Sequence, residues 1–185
     1  MTSKEVISSE TLEYKIIRVG EWVIKKPKPG FEFKVKTDAK MCEFLRGIVP
    51  ETYYDEEHNW LIQRYVEGRP PTEEEFERIQ EEIRRRGVIP RGIIKRDVIV
   101  DRTGKIWVVD VGHFEPYEET WSEFAKTKPK LWKGKLPIRE EEIKRMVNEV
   151  EEKDKERIEK AEREFKEVAE KFLEMVKKIR LSEER

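Results

Sequence analysis

Apolar positions fall into short strand-like and helical runs up to about residue 109, and into one long helical stripe from about residue 137 onward. Behind the apolar pair Val6-Ile7 and the polar break Ser8-Ser9-Glu10-Thr11, the β-branched and aromatic run Leu12 to Val19 predicts a strand. Gly20-Glu21 reads as a turn, Trp22 to Lys26 as the returning strand stopped at Pro27, and Lys28-Pro29-Gly30 as a loop. Ala39, Met41, Cys42, Phe44 and Leu45 form a helical stripe over about 36–45, and Trp60 to Val66 predicts another strand after the turn-rich Asp55 to Asn59. Thr72 followed three residues later by Glu75 is a capping box, opening a helix that carries Phe76, Ile79 and Ile83 on one face and ends near Gly87. Two short strands, Asp97 to Val100 and Lys105 to Val109, flank the turn Asp101-Arg102-Thr103-Gly104.

Beyond residue 137 the apolar positions Ile143, Met146, Val147, Val150, Ile158, Ala161, Phe165, Val168, Phe172, Met175, Val176 and Ile179 recur at three- and four-residue steps among Glu, Lys and Arg. This predicts a long amphipathic helix, or two helices broken near Glu151 to Glu156, where the stripe lapses at Asp154. A continuous rod of this kind would span about 65 Å. Such a length needs a partner, a fold-back or solvent along its far half.

Composition narrows the function classes. Charged residues make up 44% of the 185, yet 40 Lys+Arg against 41 Asp+Glu leave a net charge of -1, which excludes a globally basic nucleic-acid binder. Five Trp, eight Phe and five Tyr predict a folded chain. Cys42 is the only cysteine and His58 and His113 the only histidines, so neither a disulfide framework nor a Cys/His zinc site can be assembled. No apolar run nears the roughly 18 to 20 residues that span a bilayer, and the first residues have no signal-peptide core. A soluble, cytoplasmic protein is expected, with no membrane partner. The Lys, Glu and Arg enrichment is that of proteins that work hot, so thermostability is expected too. The stretch Trp121 to Leu136 interleaves lysines with Trp121, Phe124 and Trp132. It reads as a loop whose aromatics dock on the core, with a basic patch over 126–135 as the one place for nucleic acid.

The candidate chemistry lies between Gly87 and Gly112. The hairpin sets Asp97 at the start of one strand and Asp110 at the end of the next, and antiparallel pairing brings those ends together. Two carboxylates at the mouth of a hairpin suit Mg²⁺, which takes a few carboxylate oxygens plus water and phosphate oxygens. The alternative reading of both acids is that they simply cap the turns of the hairpin.

This arrangement resembles the protein-kinase-like superfamily, in a divergent and minimal form similar to lipopolysaccharide kinases and RIO-like members. The family order is His-Arg-Asp, four residues, Asn, then an Asp-Phe-Gly turn. Here Pro90-Arg91-Gly92 stands at the first motif, Asp97 at the Asn and Asp110-Val111-Gly112 at the turn. The resemblance covers about residues 5–116 and implies an α+β two-lobe fold with a reduced C-lobe and a long C-terminal helix. It implies an N-lobe over 1–66, a C-lobe over 67–136 and a helical appendage over 137–185. It implies ATP and Mg²⁺ as cofactors, with Asp97 and Asp110 on the metal and Lys25, Asp38, Gln63, Tyr65, Ser8 and Ser9 on the nucleotide. Lys26 competes with Lys25 for the phosphate-gripping role, and Glu43 with Asp38 for pairing with it. Arg91 either braces Asp110 or is a surface charge, and His113, next to the turn, is either a base or structural. The departure from the pattern is Gly92, which puts no carboxylate at the catalytic position. Three functions follow from the resemblance: a pseudokinase or weakly active regulator working through a partner or self-association at 138–181, an active divergent kinase for Ser/Thr or small molecules, or an assembly module without nucleotide.

Overall fold

The computed structural model describes residues 13–135 and 140–183, and the chain divides at Glu140 into two units. Val6-Ile7 and the candidate site residues Ser8 and Ser9 lie outside the described residues. The first unit is α+β. Its strands β1 (Tyr14–Val19) and β2 (Trp22–Pro27) form a hairpin in which Ile16 faces Lys25 and Ile17 faces Ile24. Gly20, at φ +60°, makes the tight turn between them. A 3-10 turn, Glu32–Lys34, leads into α1 (Val35–Phe44), and then come β3 (Thr52–Asp55) and β4 (Trp60–Arg64). The four strands make one antiparallel sheet in the order β1-β2-β4-β3.

Strand β3 escapes the hydrophobic pattern because Tyr53-Tyr54-Asp55 merges with the turn residues after it. Pairing makes it a strand: Tyr54 lies opposite Leu61 of β4, while on its other edge the Tyr54 N–H donates to Lys130 O at 2.7 Å and its carbonyl accepts from Trp132 N at 2.9 Å. The outer edge of the sheet is thereby covered by the chain itself.

Short strand β5 (Gly68–Arg69) precedes α2 (Glu73–Arg85), whose capping box is present as the sequence predicts, with Thr72 Oγ1 accepting from Glu75 N. After β6 (Val88–Ile89), a 3-10 turn at Lys95–Asp97 enters the hairpin of β7 (Val98–Asp101) and β8 (Ile106–Val108). Asp101 Oδ1 caps that hairpin's turn by accepting from the N–H groups of Thr103 and Lys105. Strand β9 (Glu115–Pro116) pairs with β6, and β5 with β7. The segment expected to be a loop at 121–136 begins as helix α3 (Trp121–Lys126), too short to carry a readable period. Phe124 and Trp132 dock as expected, the latter edge-on to Trp22 at 5.2 Å and Tyr53 at 5.1 Å, whereas Trp121 is exposed.

The main core joins Met41, Cys42 and Leu45 of the α1 region to Ile79 and Ile83 of α2 and to Val98, Val108 and Val111 around the hairpin. A second cluster, Tyr14, Val35, Ala39, Tyr54 and Leu61, fills the space between α1 and the sheet. The second unit is α4 (Glu140–Glu183), one unbroken 44-residue helix. The lapse at Asp154 does not interrupt it, since the segment has no Gly or Pro and Glu, Lys and Arg are good helix formers. Among the described residues no helix is long and apolar enough to cross a membrane.

The end of α2 supplies a stability test. Gly87 sits at φ +77°, its carbonyl accepts from Thr120 Oγ1 at 2.5 Å and Tyr117 N at 2.8 Å, and a Cβ there would lie 2.1 Å from Thr120 Cγ2. Gly87→Ala is expected to cost about 2 to 4 kcal/mol from left-handed strain and displacement of Thr120. Chemical denaturation reads this, and a neutral substitution would contradict the packing described.

Candidate functional site

The site forms where the mouth of the β7–β8 hairpin meets β2 and α1. Val109 N donates to Asp97 O at 2.8 Å, which extends the hairpin pairing by one step and sets Asp97 and Asp110 side by side in the chain path. Asp97 Oδ2 accepts from Ile94 N at 2.9 Å, and Asp110 Oδ1 accepts from Gly112 N at 3.0 Å. Each acid is therefore a turn cap, as its plain reading has it. One oxygen of each serves the turn.

Two lysines from the first 34 residues hold this turn. Lys25, buried at 8% exposure, donates from Nζ to Val109 O at 2.5 Å. Lys26, its competitor by sequence, is only half-buried. Lys34 donates to Gly112 O at 2.6 Å and pairs with Glu13. Glu13 also lies 3.6 Å from His113 Nε2, and a Cβ on Gly112 would come within 2.7 Å of Glu13 Oε2. Glycine at 112 keeps this crowded turn open.

Asp38 points into the same region from α1 and is buried, but its hydrogen bond comes from Tyr14 Oη at 2.5 Å. Burial is the main reason its pKa is raised to about 6; Glu13 and Asp110 push it the same way, while the Tyr14 bond and Lys34 oppose them. Burial and then Asp38 push the Tyr14 hydroxyl upward in turn. Asp97 is also raised, first by burial and then by Asp110, against the Ile94 N–H bond, Arg96 and Lys25. Burial pushes the Cys42 thiol up to about 12, so it is no nucleophile. Four carboxylates, Glu13, Asp38, Asp97 and Asp110, thus share fields with three cationic side chains, Lys25, Lys34 and Arg96. The excess negative charge attracts a cation or a proton. No cluster of three or more His, Cys, Asp or Glu fit to hold a metal occurs among the described residues, so a metal here would rest on Asp97 and Asp110 with the remaining positions filled from outside the protein.

The other candidates divide. Gly92 adopts φ +65°, and a Cβ there would meet only His113, at 3.9 Å. Arg91 does not brace Asp110; its guanidinium pairs with Glu115 at 2.7 Å. Arg91, Gly92, Gly112, His113, Phe114 and Glu115 line an open groove of about 490 Å³ beside the Asp110 turn. Gln63 is buried and donates to Thr52 Oγ1 at 3.0 Å, and the Tyr65 ring lies 3.6 Å beneath the Arg18 guanidinium. Both side chains thus have partners within the protein. Glu43 pairs with Arg46. In the basic stretch at 126–135, Lys130 is taken up by Glu51 and the Tyr53 ring.

Glu13, Tyr14 and Lys34 are the members that sequence reasoning missed. Only the strand position of Tyr14 signalled burial; the other two gain meaning from contacts nearly 80 and 100 residues away in sequence. No protein-family model and no curated protein matches this chain.

Asp38 provides a pH test. Its folded pKa, about 6, lies above the ordinary 3.8, so the folded state binds a proton more tightly than the unfolded one. Its contribution is most favourable below about pH 4 and is lost as pH rises through 6, amounting to roughly 2 to 3 kcal/mol. Asp38→Asn, which keeps an acceptor for Tyr14, is expected to raise Tm at pH 8 and to change it little at pH 4. An equal shift at both pH values would contradict the assignment.

Proposed function

We propose that this chain is a divergent, minimal protein-kinase-like protein that binds ATP with Mg²⁺ and acts chiefly as a pseudokinase or weakly active regulator through a partner held by 138–181. The observation that carries the reading is the convergence of Lys25, from a distant strand, on the hairpin mouth that carries Asp97 and Asp110. The element order supports it: a sheet with one helix between its second and third strands, then a connecting segment, a capped helix, a loop and a hairpin ending in Asp110-Val111-Gly112. On this reading the segments of the first unit before and after about residue 66 are the two lobes, the second one reduced.

The donor set fits Mg²⁺. Asp97 and Asp110 each keep one carboxylate oxygen outside the turn bonds, and a divalent cation would relieve the repulsion from Asp110 that adds to burial in raising the Asp97 pKa. Mg²⁺ would neutralise phosphate charge there. Lys25 supplies a fixed positive charge whose position is set by Val109 O. Lys34, itself paired with Glu13, holds the Gly112 carbonyl and so keeps Asp110 in place.

The regulator reading is favoured over an active kinase by Gly92. No carboxylate stands there, and the side chain nearest that position is His113. A missing general base removes roughly 10²- to 10⁴-fold of rate.

ATP with Mg²⁺ is expected to raise Tm; at 100 times Kd the added stability is about 2.7 kcal/mol, several degrees for a chain of this size. Asp110→Ala should abolish the shift, and no shift at saturating ATP would leave the assembly-module reading. In a γ-phosphate transfer assay the wild type should stay near background. Measurable turnover that vanishes in Asp110→Ala would instead establish an active enzyme, with Gly92→Asp as the comparison that reports what a carboxylate adds.

A further inference from the structure

Along α4, Ile158, Ala161, Phe165, Val168, Phe172 and Met175 follow one another at steps of three and four, and Ile179 continues the series in the sequence. Three heptads result, with Ile158, Phe165 and Phe172 at a and Ala161, Val168 and Met175 at d. This seam is exposed: Phe165 at 76%, Val168 at 64% and Phe172 at 58%. Among the described residues the unit contains no second element of its own to cover it. A single helix in water draws most of its stability from burying its apolar face, so a seam this regular calls for an occupant.

The flanking charges identify that occupant. In a parallel, in-register pair, each g residue meets the e residue five positions further along the second copy. Arg157 then meets Glu162 of the second copy, and the sequence repeats the pairing with Lys178 and Glu183. The two intervening pairs, Glu164 with Ala169 and Lys171 with Val176, bring no like charges together. Antiparallel pairing centred between Lys166 and Glu167 gains Glu164 against Lys171 but sets Arg157 against Lys178. We infer that residues 158–179 form a parallel, in-register coiled coil with a second copy of this chain. The inference deepens the partner half of the proposed function, committing it to self-association, and stands independently of nucleotide binding.

Light scattering on the full chain, without nucleotide, should give twice the 22.4 kDa chain mass, falling toward one chain on dilution. Phe165→Glu with Phe172→Glu should give the monomer while leaving the unfolding transition of the first unit in place. Cys42 is buried and is the sole native thiol, so Ala161→Cys adds the one accessible cysteine. Oxidation should link the two copies covalently only in the parallel register, because antiparallel pairing sets position 161 opposite Phe172. Glu162→Arg should weaken association about fivefold, and Arg157→Glu added to it should restore it. A wild type of single-chain mass at all concentrations would overturn the proposal, as would a dimer that fails to cross-link through position 161. Neither result bears on the ATP-dependent Tm shift, which separately tests the nucleotide reading.

Discussion

A buried ammonium group must find an acceptor, and that requirement ties this fold together at one point. Lys25, inside the four-stranded sheet, has its Nζ satisfied by the carbonyl of Val109, at the end of a hairpin more than eighty residues downstream. Leaving such a charge unpaired would cost several kcal/mol, so the sheet and the hairpin are obliged to meet there. Lys34 repeats the device one step along, on the carbonyl of Gly112. Between the two anchored carbonyls stands Asp110, held by the lysines' grip on the backbone to either side of it.

On the proposed function, the carboxylates around that turn make it more than a brace. A purely structural junction would balance its charges, since buried acids without partners oppose folding. Here Asp38 and Asp97 carry raised pKa values, with burial and neighbouring acids as the causes. The protein keeps a local excess of negative charge at the mouth of a hairpin, at a cost in stability above pH 6. A cation bound at Asp97 and Asp110 would offset the part of that cost that comes from repulsion between the acids. The same region lacks a carboxylate at Gly92, so affinity and catalysis are separated in the proposed function: the groups suited to hold a metal and phosphates are in place, while the group suited to take a proton is not.

Legibility in the sequence followed the range of the interactions. The Thr72 capping box, the Asp101 to Gly104 turn and the α2 face of Ile79 and Ile83 depend on neighbours within a few residues, and each reads directly. The continuity of α4 was left open by the pattern, because an apolar lapse at Asp154 does not say whether helix propensity carries through it. Strand β3 and helix α3 were hidden for a different reason: one is defined by pairing on both edges, and the other is too short for a period. At the site, Asp97 and Asp110 were readable from hairpin geometry. The choice of Lys25 over Lys26 needed the strand's facing, and the partner of Asp38 proved to be Tyr14 rather than a lysine. Glu13 and Lys34 had no local signature at all, because their role exists only once distant segments pack.

The central claim is that Lys25, Asp97 and Asp110 together hold a metal-bound triphosphate. A crystal structure of the full chain soaked with Mg²⁺ and a non-hydrolysable ATP analogue tests the three residues at once. The account predicts metal density between the carboxylates of Asp97 and Asp110, with the Lys25 ammonium against the phosphates. Analogue bound elsewhere, or metal density away from both carboxylates, would contradict it.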